Sequence, residues 1–159
     1  MTRRKFITTS GLTAVAAGTA TSGFAKAKSQ AKPKSSKRKV STDNAPKPQG
    51  PYSQGIVAGN TIYVAGQGPF DPQTGKMPAS FEEQAVQAFE NVKAIVEAGG
   101  AKLADVVNVN VYLADLGNFA KMNEVYRRYF SGDFPARATV GTQLLGGMGI
   151  EVACIAVRG

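Results

Sequence analysis

Two side chains in this sequence combine a reactive type with a placement that could do chemistry. Arg137 follows Pro135-Ala136 and opens a strand-like run, and Glu151 stands in the last strand-like run among Ile150, Val152 and Ile155. A guanidinium fork makes two parallel, charge-assisted bonds to a planar carboxylate, so Arg137 suits an anionic ligand. A surface ion pair on an edge strand is the plainer alternative. An acid between apolar neighbours is either a solvent-face residue or a working carboxylate with a raised pKa, and both readings stand for Glu151. Tyr52, after Gly50-Pro51, reads as an aromatic lid on a sheet edge, and Asn123 as a polar residue on the outer side of a helix. Cys154 is the only cysteine and the chain has no histidine. That excludes a disulfide scaffold, a His-based acid–base pair, a Ser-His-Asp triad and every His-ligated metal site. Cys154 has no candidate base beside it and reads as a small buried residue. The glycines of Gly146–Gly149 lead into a strand rather than a helix and lack the G-x-G-x-x-G and Walker spacings, so they form no phosphate cradle.

The elements that must position these residues follow from periodicity. Asn44–Tyr52 carries three prolines and cannot be helical. Ser53–Ala58 and Thr61–Gly66 read as strands joined at Gly59-Asn60, and Phe70–Gly75 as a turn. Ser80 and Glu83 form a capping-box signal ahead of a helix over Ser80–Ala98. Its apolar stripe is Phe81, Ala85, Ala88, Phe89, Val92, Ile95 and Val96, and Gly99-Gly100 stops it. Val107, Val109, Val111 and Leu113 alternate with polar residues as a strand does. Asn118 is placed to cap a second helix with Phe119, Met122, Tyr126, Tyr129 and Phe130 on its apolar face. Ala136–Leu144 and Ile150–Val157 are the closing strands. The order β-β-α-β-α-β-β leaves two helices to cover one face of a sheet, and the other face needs a partner, so an oligomer is expected.

The net charge of +8 is unevenly divided. Residues 1–40 hold ten Lys/Arg and no acid, whereas residues 41–159 hold nine basic and eleven acidic residues. The folded body is therefore not a basic surface, which argues against nucleic acid as a partner. Residues 1–27 have the three parts of an export signal: Arg3-Arg4-Lys5, a mild apolar stretch from Phe6 to Ala25, and Ala25-Lys26-Ala27 as a cut site. The twin arginine resembles a Tat signal, which places the protein in the periplasm. The stretch is too interrupted by Thr and Gly for a stable membrane span, which wants about 20 strongly apolar residues. Residues 28–43, rich in Lys, Ser, Ala and Pro, read as a basic disordered linker, leaving 44–159 as the domain.

Six pieces in order resemble the RidA/YjgF family of reactive-intermediate (enamine/imine) deaminases. They are Asn44-Ala45-Pro46 through Gly50-Pro51-Tyr52-Ser53-Gln54, Ile62–Gln67, Asn91–Ile95, Asn123–Tyr126 with Phe130, Phe134-Pro135-Ala136-Arg137-Ala138-Thr139, and Ile150-Glu151-Val152 with Ile155–Val157. The resemblance implies a chorismate-mutase-like α+β subunit, a mixed sheet with two helices on one face, assembled as a homotrimer with active sites in clefts between subunits. It implies hydrolysis of small 2-imino and 2-enamino acids to 2-oxo acids and ammonia, without metal or organic cofactor. Arg137 would hold the substrate carboxylate and Glu151 would assist the water, as the catalytic residues. Tyr52, Ala65, Gly66, Asn123 and Thr139 would bind the substrate. Two positions depart from the family: Ala65 stands where many members have serine, leaving only the backbone amides of Ala65 and Gly66 as donors there, and Thr139 where some have cysteine. A trimer that binds small carboxylates without turnover is the alternative.

Overall fold

The computed structural model describes residues 36–159. The expected export signal, and residues 28–35 of the expected linker, lie outside the described residues.

Six strands form one sheet: β1 (Lys37–Val40), β2 (Gly55–Ala58), β3 (Thr61–Gln67), β4 (Val106–Leu113), β5 (Ala136–Gly141) and β6 (Ile150–Val157). Their spatial order is β1-β2-β3-β6-β4-β5. All neighbours are antiparallel except β4 and β5, which run parallel. The parallel pair needs a crossover, and α2 (Phe119–Tyr129) supplies it. The chain then returns β6 to the middle of the sheet, so the last strand is its centre.

β1 lies inside the segment expected to be a disordered linker, so regular structure is already present at Lys37–Val40, ahead of Asn44. Composition misled here because an edge strand tolerates charge. Val40 is fully buried while Lys37, Arg38 and Lys39 stay exposed, and Arg38 Nη2 donates to the Gly99 carbonyl at 3.2 Å. A cation thus closes the end of α1 (Phe81–Gly99), where unpaired carbonyls collect.

α1 begins as its sequence dictates. The Glu83 amide donates to the Ser80 hydroxyl oxygen at 3.3 Å, and that hydroxyl donates to Glu83 Oε2 at 2.8 Å. It ends at Gly100, whose φ of 92° only glycine adopts freely. The expected Asn118 cap is not made: Asn118 forms no side-chain cap, and Asp115 instead accepts from the Gly117 amide at 2.8 Å in the 3₁₀ turn that precedes α2.

Both helices cover one face. Ala85, Ala88, Phe89, Val92, Ile95 and Val96 of α1 meet Ile62, Val64, Val109, Val111, Val152 and Cys154 of the sheet, all buried. Each valine, isoleucine or phenylalanine among them contributes about 1.5–3 kcal/mol of transfer free energy. Phe89 also gathers α2: it packs edge-on against Tyr126 at 5.7 Å and stacks on Tyr129 at 5.2 Å. The opposite face carries Tyr63, Ile155 and Asn108 in one cross-strand row and Glu151, Tyr112 and Val140 in another. Tyr63 and Val140 are about half exposed.

Candidate active site

Glu151 sits in a hollow of about 560 Å³ on the open side of the sheet, with Tyr52, Gly66, Phe70, Leu145 and Met148. The register of β3 on β6 slips between Val64 and Gln67, and this irregularity brings Gly66 against the acid. A Cβ at position 66 would lie 2.7 Å from the Glu151 carboxyl carbon, so the carboxylate occupies space that only glycine leaves open. Among the described residues Glu151 forms no ion pair. Tyr52 is half exposed at the rim. Its hydroxyl oxygen accepts the Gln49 amide at 3.1 Å, so its own hydrogen is left to donate.

Four buried amides hold the loops around this hollow. Gln54 Nε2 donates to the carbonyls of Thr42, Ala45 and Pro46, and Gln54 Oε1 accepts the Thr42 amide at 2.8 Å. This clamps the Pro-rich segment that carries Tyr52. Asn91 Nδ2 donates to the carbonyls of Gly68 and Phe70 at 3.0 and 2.9 Å. Gln84 donates to the Pro78 carbonyl and accepts the Gly149 amide, both within 2.9 Å. Gln67 Nε2 donates to the Ala65 and Gly66 carbonyls. Sequence reasoning gave none of the four a role, although Gln54, Gln67 and Asn91 fall within the quoted motifs. Their burial shows only in the fold, where a polar side chain with almost no exposed surface must have partners.

The glycine loop also belongs here. Gly146 and Gly147 take φ values of 65° and 71°, and Leu145 beside them is 84% exposed at the mouth of the hollow. The loop cradles no phosphate; it presents an apolar side chain.

Arg137 lies elsewhere. Its register partner Val109 is also the partner of Cys154, so all three side chains point to the helix-covered face. Arg137 lines a second hollow, about 300 Å³, with Asn123, Tyr126, Arg127, Phe134 and Pro135. The guanidinium carbon stands 4.5 Å from the Tyr126 ring centre and 5.8 Å from that of Phe119, and Nη1 points at Met122 Sδ at 3.8 Å. Arg137 forms no ion pair among the described residues.

A single copy of the chain therefore brings together Tyr52, Gly66 and Glu151 on one side of the sheet, and Arg137 and Asn123 on the other. It does not bring Arg137 to Glu151. Thr139 shares the Arg137 side through its register with Val111, and its buried hydroxyl has no partner among the described residues. Ala65 lines neither hollow, and its amide is engaged by the Gln54 carbonyl at 3.0 Å, so the expected backbone donor at this position is not free. Burial pushes the Cys154 thiol up to about 12, which keeps it a protonated core residue rather than a nucleophile. Among the described residues no group of three His, Cys, Asp or Glu could hold a metal, and no helix is long and apolar enough to cross a membrane.

The family model described as Endoribonuclease L-PSP matches residues 42–158. A RutC family protein of Pyrococcus horikoshii is 49% identical over 124 residues, covering 77% of this chain and 98% of the relative. The 2-iminobutanoate/2-iminopropanoate deaminase of Escherichia coli K12 is 45% identical over 123 residues, covering 75% and 96%. The crystal structure of the Escherichia coli YjgF gene product matches with a TM-score of 0.75 at 44% identity, covering 77% and 99%. The matched region contains both hollows and every residue that builds them, and the chain belongs to the RidA/YjgF family.

Proposed function

We propose that the chain is a hydrolytic deaminase of small 2-imino and 2-enamino acids, acting as a homotrimer in which the Arg137 hollow of one copy meets the Glu151 hollow of its neighbour. The observation that carries this is the separation of the two charged residues. They lie on opposite faces of one sheet, each in its own hollow and neither in an ion pair among the described residues. The exposed sheet face with Tyr63 and Val140 supports association of copies. The deaminase name of the relative at 45% identity supports the reaction class.

Arg137 takes the substrate carboxylate with two parallel bonds, which fixes the C=N carbon. Water adds to that carbon as Glu151 accepts its proton, giving a carbinolamine. Glu151 returns that proton to the nitrogen, then takes the carbinolamine hydroxyl proton and passes it to the same nitrogen, so that the C=O bond forms as the C–N bond breaks and 2-oxo acid and ammonia leave. A positioned acid–base group contributes about 10²–10⁴-fold. Because imines hydrolyse in water unaided, this suffices. The Tyr52 ring covers the bound imine, while the Asn123 amide and Thr139 hydroxyl line the carboxylate side. Residues 1–27 send the protein to the periplasm through a twin-arginine signal. The body's nine basic and eleven acidic residues, and the absence of histidine, count against a ribonuclease reading of the family description.

The test is imine hydrolysis by the full chain, with imines generated in situ by an amino-acid oxidase. Arg137→Ala is expected to lose about 100-fold or more in kcat/KM. Equal turnover in the two proteins would end the proposal. Ala65 favours a second reading, a carboxylate-binding trimer without turnover, since position 65 offers neither a hydroxyl nor a free amide. That reading expects Arg137-dependent binding of 2-oxobutanoate and no hydrolysis.

A further inference from the structure

The support beneath Arg137 is unusual in its chemistry. An arginine side chain has many rotamers, and ordering it at the moment of binding weakens the complex. The common way to hold it in advance is a carboxylate partner. Such a partner would also neutralise the charge and compete with an anionic ligand. Among the described residues Arg137 has no such partner. It is held by an aromatic face, a second ring and a thioether: Tyr126 at 4.5 Å, Phe119 at 5.8 Å and Met122 at 3.8 Å.

Tyr126 is itself fixed. Its ring packs edge-on to Phe89 at 5.7 Å, lies 4.5 Å from Phe130 and reaches Phe134 at 6.2 Å. Only 4% of its surface is exposed, and its hydroxyl is buried without a hydrogen-bond partner among the described residues. Burial raises its pKa, so the ring carries no charge of its own. What Tyr126 offers Arg137 is therefore the negative face of its ring and a rigid surface.

We infer that Tyr126 is the positioning residue for Arg137, the main wall of an uncharged cradle with Phe119 and Met122 that fixes the guanidinium while leaving its positive charge to a ligand anion. The inference rests on the reading of Arg137 as a carboxylate anchor. It adds that pre-organisation of the anchor comes from the ring and not from the phenol hydroxyl.

The test measures binding of 2-oxobutanoate and imine turnover by the full chain with position 126 varied. Tyr126→Leu is expected to raise Kd and KM about tenfold with kcat little changed, because an attraction of this kind acts on carboxylate capture. Tyr126→Phe is expected to rescue most of that loss. In the Arg137→Ala background, Tyr126→Leu should have no further effect on Kd. Should the leucine variant fail to fold, fluorinated phenylalanines at 126 keep the ring's shape and weaken its negative face, and Kd should climb with each added fluorine. A Kd indifferent to fluorination, a phenylalanine variant as weak as leucine, or an undiminished leucine effect without Arg137 would each overturn the inference alone. Failure of the wild type to bind 2-oxobutanoate at all would overturn the carboxylate reading and this inference with it.

Discussion

Arg137 and Glu151 point to opposite faces of the same sheet: Arg137 is level with Val109 and Cys154 under the helices, and Glu151 is level with Tyr112 on the open side. No side-chain rotation brings them together, because β4 stands between β5 and β6. If they serve one substrate, that substrate lies between two copies of the chain.

This geometry makes subunit mixing decisive. Chains carrying Arg137→Ala and chains carrying Glu151→Gln are each expected to be nearly inactive. Co-refolded in equal amounts, they should recover activity at about one site in four, where an intact arginine from one chain meets an intact glutamate from the next. A site built within one subunit would recover none. Turnover per chain before and after mixing checks this.

Gly66→Ala should disable Glu151 without unfolding the protein. The added Cβ would lie 2.7 Å from the carboxyl carbon, so the carboxylate must swing into the hollow. A misplacement of about 1 Å costs about 100-fold in rate. The expected result is a kcat reduced by about that factor with 2-oxobutanoate binding through Arg137 largely kept. Kinetics and calorimetry on the same protein would show it.

Gln54→Leu should destabilise the chain strongly for a residue that resembles a loop polar. The change strands the carbonyls of Thr42, Ala45 and Pro46 and the Thr42 amide, around a side chain that is 1% exposed. A loss of about 2–4 kcal/mol in urea unfolding is expected. Activity should fall further than stability explains, because Tyr52 rides on the released segment.

Alkaline pH should destabilise the fold in a defined window. Burial raises the Cys154 thiol to about 12 from 9.0, so the folded state holds this proton more tightly than the unfolded chain. Its contribution is whole below pH 9 and is lost as pH rises towards 12. Tyr126 and Tyr129, also raised by burial, act in the same direction above their ordinary value of 10.0. Thermal unfolding between pH 7 and 11 should show a falling Tm, with a shallower fall in Cys154→Ala. Within the same range the wild-type thiol should resist iodoacetamide until the protein unfolds.

The residue pattern alone sets the local elements of this protein. Ser80 with Glu83 starts α1, Gly99-Gly100 ends it, and the alternation of Val109, Val111 and Leu113 makes a strand, because each depends on neighbours within a few residues. The quoted motifs likewise put forward Arg137, Glu151, Tyr52 and Asn123 as candidate site residues. Tertiary structure decided the rest. Lys37–Val40 became a strand because β2 offered an open edge and a place for Val40, which no local composition records. Asp115 displaced Asn118 at the start of α2 through the geometry of a turn. Gln54, Gln67, Gln84 and Asn91 became the fasteners of the Glu151 hollow because loops distant in sequence present their carbonyls to them. The placing of Arg137 and Glu151 on opposite faces follows from register across three strands. A shift of one residue would reverse either side chain, and register is fixed only when the whole sheet packs against α1.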